Sequence, residues 1–196
     1  MTRATALLDA NILYPAPVRD TFPQLAADDL FGAKWIADIH REWMGALLRN
    51  EPRRDRAALE RTRDLIGQAT RDCLVADYET IPALDLPDPD DRHVLAAAIV
   101  EKCDVIITFN MRDFPPAGLK PYGIDAQHPG EFLVHMLSQT PSPFLDAIRK
   151  ILSRLVAPPV SARSYVATLS GLGLTGTAKA LAEFSGQLSQ FSERFE

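Results

Sequence analysis

The segment DVIITF, residues 104–109, constrains the fold more than any other part of the chain. It is a nearly unbroken apolar run rich in β-branched residues, which is typical of a strand covered on both faces. ATALLD at 4–9 has the same character, and GIDAQ at 123–127 is a third predicted strand. Because helical patterns separate these strands, the sequence predicts an α/β fold with a central parallel sheet and helices on both faces.

Apolar residues at helical spacing mark the helices between the strands. The predicted helices cover 20–31, 33–48, 54–70 and 88–103, and a further one begins near Pro129. The apolar stripe of the second helix consists of Trp35, Ile36, Ile39, Trp43, Leu47 and Leu48. In the third helix, Leu59, Leu65 and Ile66 are expected to face the core.

The helix beginning at Asp88 has the clearest start signal. Asp88 is a favoured N-cap residue, and Pro89 follows it at the favoured first helical position. Asp90 and Asp91 then lie in the first turn, where the helix dipole stabilises negative charge.

The last quarter of the chain has a different pattern. Only helical segments follow residue 140, so we predict one unit at 1–140 and an all-helical extension at 141–196. The apolar face of its first helix contains Phe144, Leu145, Ile148, Ile151, Leu152 and Leu155. That face must be buried against the first unit, another subunit or a partner protein, and the first of these is favoured.

Composition excludes several classes of protein. The only two cysteines, Cys73 and Cys103, are far apart, which argues against a disulfide framework and a thiolate metal site. The four histidines are scattered and form no zinc pattern, although His93 lies one turn from the acids at 88–91. The longest apolar run, 94–100, is too short to span a bilayer, and the segment MTRATALLDAN at 1–11 lacks the apolar region expected of a signal peptide. We therefore expect a cytoplasmic protein without membrane association.

Charge is unevenly distributed along a chain whose net charge is −5. Seven arginines lie between Arg41 and Arg63 against four acids, whereas the stretch 77–91 contains six acids and no base. The interpretations are two solvated surfaces, or a surface that binds a polyanion beside a site that binds a cation.

Acidic residues lie next to several core elements. Asp9 ends the first strand, Glu42 interrupts an apolar helix face, Asp91 begins a helix, and Asp113 follows a strand after Asn110. Carboxylate oxygens are typical ligands of Mg²⁺ and Mn²⁺. Each residue also has a simpler explanation, namely a helix cap, a favourable helix dipole, a turn or an ion pair with an arginine.

Taken together and in order, these segments resemble the PIN-domain nucleases, and among them the VapC-type toxins of bacterial toxin–antitoxin pairs. LLDANIL at 7–13 is similar to their opening motif and IHREW at 39–43 to the segment with their helical Glu. PDPDDRHVLAAAI at 87–99 and VIITFNMRDFP at 105–115 are similar to their two later acidic motifs. The resemblance covers roughly residues 5–135.

The resemblance implies a three-layer α/β/α domain whose acids hold a divalent metal, Mg²⁺ or Mn²⁺. The implied ligands are Asp9, Glu42, Asp91 and Asp113, with Asn110 where many relatives have aspartate. Supporting residues follow from their positions: Asn11 orients Asp9 or its water, Thr108 hydrogen-bonds Asp9 or a phosphate oxygen, and Asp90 lies beside the ligands. A simpler role for Asn11 is the N-cap of the first helix.

The implied activity is hydrolysis of RNA phosphodiester bonds, in which the metal activates water for in-line attack and leaves a 5′-phosphate and a 3′-hydroxyl. The residues expected to bind flanking phosphates are Arg49, Arg53, Arg54 and Arg56. A cognate antitoxin protein is the implied partner, and a homodimer is the implied assembly. Two alternatives remain open: a non-catalytic PIN-like module with a weakened metal site that binds RNA or protein, and a phosphoryl-transfer enzyme of the haloacid dehalogenase type.

Overall fold

The computed structural model describes residues 3–80 and 84–189. Within them, four strands form one parallel sheet in the order β2-β1-β3-β4. The strands are β1 (Thr5–Leu8), β2 (Gly32–Lys34), β3 (Val105–Ile107) and β4 (Asp125–Gln127). The prediction of a central parallel sheet is confirmed, and helices cover both of its faces.

Eleven helices are present in the described part of the chain. They are α1 (Ala10–Leu13), α2 (Ala16–Ala27), α3 (Ala37–Asn50), α4 (Arg56–Ala69), α5 (Arg92–Val100), α6 (Pro116–Leu119), α7 (Pro129–Gln139), α8 (Pro141–Arg154), α9 (Ala162–Gly171), α10 (Thr175–Ala182) and α11 (Ser185–Ser189). None of them is long and apolar enough to cross a membrane.

The register of the central strands sets the position of the polar residues that follow them. Leu7 pairs with Ile106 and Leu8 with Ile107, and all three residues of β3 are buried, as expected for a strand covered on both faces. The pairing continues past β1, where the Asp9 amide donates to the Ile107 carbonyl at 3.1 Å. Asp9 and the segment after β3 therefore meet at the carboxyl edge of the sheet, where ligands bind in parallel α/β folds.

The predicted helix at 33–48 begins too early. Trp35 and Ile36 are buried, but they precede α3, and the segment before it is β2. The Trp35 amide donates to the Cys73 carbonyl, and its own carbonyl accepts from the Val75 amide, both at 2.8 Å. The two segments are distant in sequence, so their pairing leaves no local pattern. The apolar residues at 33–48 have helical spacing, and the sequence therefore predicted a helix in place of the strand.

The predicted inward face of the next helix is wrong at one position. Leu59 and Ile66 are buried, but Leu65 is 65% exposed. Leu59 and Ile66 are seven residues apart and therefore lie on one face of α4, while Leu65 is rotated about 100° away from Ile66.

The start of the acidic helix differs in detail from the prediction. Asp88 is an N-cap as predicted, because its carboxylate accepts from the Asp90 amide at 2.9 Å. Residues Pro89–Asp91, however, form a 3₁₀ turn, and α5 begins only at Arg92. Asp90 and Asp91 thus precede the α-helix. Because of this turn, Asp91 lies at the sheet edge with Asp113.

The C-terminal helices pack against the sheet domain through α2. Lys150 forms an ion pair with Asp28 at 2.5 Å, and Arg154 donates to Gln24 at 2.7 Å. The apolar face of α8 is covered at Phe144, Leu145, Ile148 and Ile151. The C-terminal helices are therefore buried against the first unit of the chain, as favoured by the sequence. The division of the chain at residue 140 stays a prediction.

Candidate metal centre

Three carboxylates converge at the carboxyl edge of the sheet. Asp88, Asp91 and Asp113 each offer one oxygen, and these oxygens lie within 4.8 Å of one another. Asp88 and Asp91 come from the turn before α5, and Asp113 from the 3₁₀ turn after β3. We call this trio the acidic cluster. Sequence reasoning placed Asp91 and Asp113 at the site but treated Asp88 only as a helix cap.

Asp9 lies beside the acidic cluster as the N-cap of α1. Its side chain is only 6% exposed, and its charge raises the pKa of Asp91. Asp9 Oδ1 accepts from the Ala10 amide at 2.6 Å, while Oδ2 accepts from Asn11 and Thr108. A carboxylate oxygen has about two acceptor positions, so Oδ1 retains one that is free for a cation.

Asn11 and Thr108 hold the Asp9 carboxylate in place. Asn11 Nδ2 donates to Asp9 Oδ2 at 2.6 Å and to Thr108 Oγ1 at 2.9 Å, and Asn11 Oδ1 accepts from the Phe109 amide. Thr108 Oγ1 donates to Asp9 Oδ2 at 2.7 Å and accepts from the Asn110 amide. Asp9, not Asn11, caps α1, so the simpler explanation of Asn11 is wrong. The hydrogen bonds needed for the orienting role of Asn11 are present.

Asn110 contacts the site through Asp113. Its amide nitrogen donates to Asp113 Oδ2, and its amide oxygen accepts from Arg112 Nε at 3.2 Å. Both ends of the Asn110 side chain are therefore engaged. This geometry favours Asp113 as the ligand and Asn110 as the residue that orients it.

Glu42 projects from α3 and is held by a histidine. Its Oε1 lies 2.8 Å from His93 Nε2, and its charge acts on Asp9. Burial opposes protonation of His93, but the contact with Glu42 outweighs burial and raises the histidine pKa. Among the described residues Glu42 forms no ion pair with an arginine, and Arg41 pairs with Asp38 instead. The one signal for His93 in the sequence is its position one turn after the acids.

Negative charge is crowded at this edge. Burial, together with the charges of Asp9, Asp113 and Asp88, raises the pKa of Asp91 to about 7. Burial also raises the pKa of Asp9, although Thr108 and the Ala10 amide oppose the shift. A bound cation would remove this repulsion, since an opposite charge favours the ionised carboxylate.

The exposed acid Asp90 and the four predicted phosphate-binding arginines have different surroundings. Asp90 donates its amide to Asp88 and so holds the turn. Arg49 lines a cleft that also contains Asn11 and Glu42. Arg53 and Arg54 line a separate shallow depression, where Arg54 pairs with Glu51. Arg56 lines a third depression, beside Arg63 and Leu74. The four arginines therefore line three different depressions.

Comparison with known proteins agrees with this arrangement. Residues 5–112 match the family model of the PIN domain, which is more than half of the chain. The chain belongs to the PIN-domain family. The matched PIN segment includes Asp9, Glu42, Asp88 and Asp91, while Asp113 lies one residue beyond its end. The resemblance to VapC-type PIN nucleases drawn from the motifs is confirmed.

A second match covers the helices after the PIN segment. Residues 129–183 match the family model of the VapC50 C-terminal domain. A curated relative is the "Putative ribonuclease VapC50" of Mycobacterium tuberculosis (strain ATCC 25618 / H37Rv), 39% identical over 79 residues. The match covers 40% of this chain and 47% of that protein, so the chain spans about half the length of this relative. No solved structure matches the chain significantly.

Proposed function

We propose that the chain is a divalent-metal-dependent endoribonuclease and the toxin of a toxin–antitoxin pair. The observation that carries the proposal is the acidic cluster beside Asp9, in which burial and like charge raise the pKa of Asp91 to about 7. Perturbed titratable groups concentrate at functional sites. The carboxylates of the acidic cluster lie at the carboxyl edge of the sheet, where α/β proteins bind ligands.

The donor set fits Mg²⁺ or Mn²⁺. Asp88, Asp91 and Asp113 offer only carboxylate oxygens, and such hard ligands suit these ions, whereas structural zinc sites use thiolate and imidazole. His93, the nearby imidazole, contacts Glu42 instead. When bound, the ion would supply the positive charge that polarises the phosphodiester and the attacking water.

The residues of the chain have separable tasks in this proposal. Asp91 and Asp113 hold the cation, Asp9 contributes its free acceptor position, and Thr108 keeps the Asp9 carboxylate fixed. Asn110 orients Asp113 through its amide nitrogen. Glu42, whose Oε1 contacts His93, leaves Oε2 for a further cation contact or for a proton from the attacking water.

RNA is the proposed substrate because the relative that matches this chain is named a ribonuclease. Arginines beside the site can neutralise flanking phosphates, which makes binding salt-dependent. Of the predicted four, Arg49 is the one that shares a cleft with Glu42. The proposed Mg²⁺ or Mn²⁺ dependence and the proposed cytoplasmic location follow from the same VapC-type assignment.

Cleavage of a structured RNA by the purified chain tests the proposal. Activity should require Mg²⁺ or Mn²⁺, vanish in EDTA, and fall at least about 100-fold in Asp9→Asn, Glu42→Gln, Asp91→Asn and Asp113→Asn. Asp125→Asn is the matched control, because Asp125 is an exposed acid at the amino end of β4, opposite the site. Wild-type cleavage rates in the four variants would refute the assignment.

The same assay separates the nuclease from the non-catalytic alternative. A protein that binds RNA and Mn²⁺ but never cleaves would support a PIN-like binding module. Asn110 is the feature that motivates this alternative, because its neutral amide replaces an expected negative charge.

The proposed antitoxin would bind near the acidic cluster and place a basic side chain among its carboxylates. Co-expression with the product of the neighbouring open reading frame should give a stable complex that lacks cleavage activity. Failure of the two proteins to copurify would count against the toxin assignment. The homodimer stays a prediction, to be tested by the mass of the purified protein in solution.

A further inference from the structure

A cleft of about 570 Å³ lies between α3 and α4, and no residue of the acidic cluster lines it. From α4 it receives Arg56, Glu60 and Arg63, which are three and four residues apart and therefore lie on one face of the helix. Leu74, 61% exposed, lines it from the segment after α4. We call this space the α3–α4 cleft.

His40 gives the α3–α4 cleft a hydrogen-bond donor in a fixed position. The side chain is buried, with the rings of Trp35 and Trp43 edge-on to it at 5.8 and 6.2 Å. Trp43 Nε1 donates to His40 Nδ1 at 3.0 Å, so in the neutral ring the hydrogen is on Nε2. Burial, together with the charge of Arg63, lowers the pKa of His40 to about 4, which keeps the ring neutral at physiological pH.

The donor at His40 Nε2 is not used within the fold. Throughout residues 3–80 and 84–189, no group accepts a hydrogen bond from this nitrogen, although His40 is only 7% exposed. Buried polar groups normally have a partner, so a largely buried donor without one needs an explanation. Because His40 lines the α3–α4 cleft, its hydrogen is available to an acceptor that binds there.

Positive charge predominates among the side chains that line the cleft. The charged ones are Arg41, Arg56, Arg63 and Glu60. Arg41 pairs with Asp38. Arg63 forms its ion pair with Asp64 through Nε and Nη2, which leaves Nη1 for a ligand. Arg56 is exposed and forms no ion pair within the described part of the chain, so its guanidinium is free to bind an anion.

We propose that the α3–α4 cleft binds a phosphate group, held by the guanidinium groups of Arg56 and Arg63 and by a hydrogen bond from His40 Nε2. Guanidinium groups bind phosphate oxygens through short, charge-assisted hydrogen bonds. Met44 and Leu74 offer apolar surface to the organic part of the ligand. The site requires no metal and does not depend on the proposed nuclease activity.

Two sources of phosphate share this chemistry. Arg41 lines both the α3–α4 cleft and the cleft that contains Glu42, so the two clefts adjoin. The backbone of an RNA bound at the metal centre is therefore one source. A free phosphorylated small molecule is the other, and the volume of the cleft is typical of pockets for such ligands.

Calorimetric titration of the full chain in EDTA with inorganic phosphate, and separately with 5′-AMP, tests the site at constant ionic strength. Arg56→Gln should weaken both about tenfold, because a charge-assisted contact is lost. Arg163→Gln is the matched control, since Arg163 is an exposed arginine on α9 and the change in net charge is the same. Glu60→Gln should strengthen binding about twofold or more, because it removes a negative charge from the lining of the cleft.

The imidazole of His40 gives a readout that a general change of charge would not move. Saturating phosphate should shift the nitrogen NMR signal of His40 Nε2, which gains an acceptor, and should leave that of the exposed His135 on α7 unchanged. At the same phosphate concentration the shift should be smaller in Arg56→Gln. A shift at His93 with none at His40 would mean that phosphate binds at the metal centre, and it would overturn the proposal.

Binding of a short RNA without a terminal phosphate, measured in EDTA with the Asp91→Asn protein, separates the two sources. If Arg56→Gln weakens RNA binding as much as phosphate binding, the site holds the RNA backbone. If it weakens only the binding of phosphate and 5′-AMP, the site holds a free small molecule. Both results support the site, whereas equal affinities of Arg56→Gln and Arg163→Gln for all three ligands would overturn it. No measurement requires cleavage, so this outcome is distinguishable from failure of the proposed nuclease.

Discussion

Asp91 is the residue on which charge crowding acts most strongly. Its pKa is raised from 3.8 to about 7 by burial and then by Asp9, Asp113 and Asp88. Between these values the folded protein holds a proton that the unfolded chain has lost. The free energy of unfolding of the metal-free protein should therefore fall as pH rises from about 4 to about 7.

Asp91→Asn should consequently stabilise the metal-free protein. The gain should be at least about 1 kcal/mol at pH 8, or about 2–4 °C in melting temperature, and should shrink toward pH 5 where Asp91 is already neutral. Added Mg²⁺ should stabilise the wild type at pH 8 and leave the variant unchanged. Thermal melts with and without EDTA measure this, and an identical pH dependence in both proteins would contradict it.

Thr108 has a role that a matched threonine lacks. Thr108→Val removes the donor to Asp9 and the acceptor of the Asn110 amide, so we expect a loss of about 1–3 kcal/mol in unfolding free energy together with weaker Mn²⁺ binding. Thr70 is also buried, but its hydroxyl has no hydrogen-bond partner among the residues that the structure describes, so Thr70→Val should be neutral or stabilising. Urea unfolding and Mn²⁺ titration compare the two, and equal effects would refute the role of Thr108.

At the scale of elements, Arg19 joins the helices that carry the site. From α2, its Nη1 donates to the carbonyl oxygens of Leu13 and Tyr14 at the end of α1. Its guanidinium also lies 4.8 Å from the centre of the Trp43 ring on α3. Arg19 therefore fixes the helix that follows Asp9 relative to the helix that carries Glu42.

Arg19→Met should cost about 2–4 kcal/mol of unfolding free energy, because it leaves two carbonyl groups without their donor and removes the cation–π contact. Mn²⁺ affinity should fall as well. Arg154→Met is the control, since Arg154 is exposed on α8 and its loss should cost less than about 1 kcal/mol. A stability change in Arg19→Met no larger than in the control would show that the helices are fixed by apolar packing alone.

The sequence predicted those elements whose signals are local. The β-branched run predicted β3, and the pair Asp88-Pro89 predicted the start of the turn before α5, because capping and burial depend on adjacent residues. It missed β2, which pairs with β1 and is followed by an isolated bridge between Trp35 and Leu74, so no local pattern marks it. The site was predicted in part: motif order indicated Asp9, Asp91 and Asp113, but only folding brings His93 to Glu42.

At the scale of the whole molecule, a buried hydrogen bond joins the C-terminal helices to the sheet domain. Tyr165 on α9 and Thr21 on α2 have their hydroxyl oxygens 2.6 Å apart, and both residues are almost fully buried. The C-terminal extension therefore packs on α2, the helix that carries Arg19, and it shares one continuous hydrophobic core with the sheet domain.

Tyr165→Phe should lower the unfolding free energy by about 1–2 kcal/mol while keeping a single unfolding transition, because the buried Thr21 hydroxyl loses a partner but apolar packing remains. Tyr122→Phe is the control, as Tyr122 is 46% exposed. Circular dichroism and tryptophan fluorescence should give coincident transitions. An early transition seen by circular dichroism alone would mean that the C-terminal helices unfold independently.

The carboxylates at the sheet edge are proposed to share a divalent cation. Anomalous diffraction from crystals soaked in Mn²⁺ tests this most directly. One strong peak is expected within coordination distance of the Asp91 and Asp113 carboxylates and next to Asp9. A Mn²⁺-saturated crystal with no peak at these side chains, or with its ordered ion elsewhere, would rule out a shared cation at this edge.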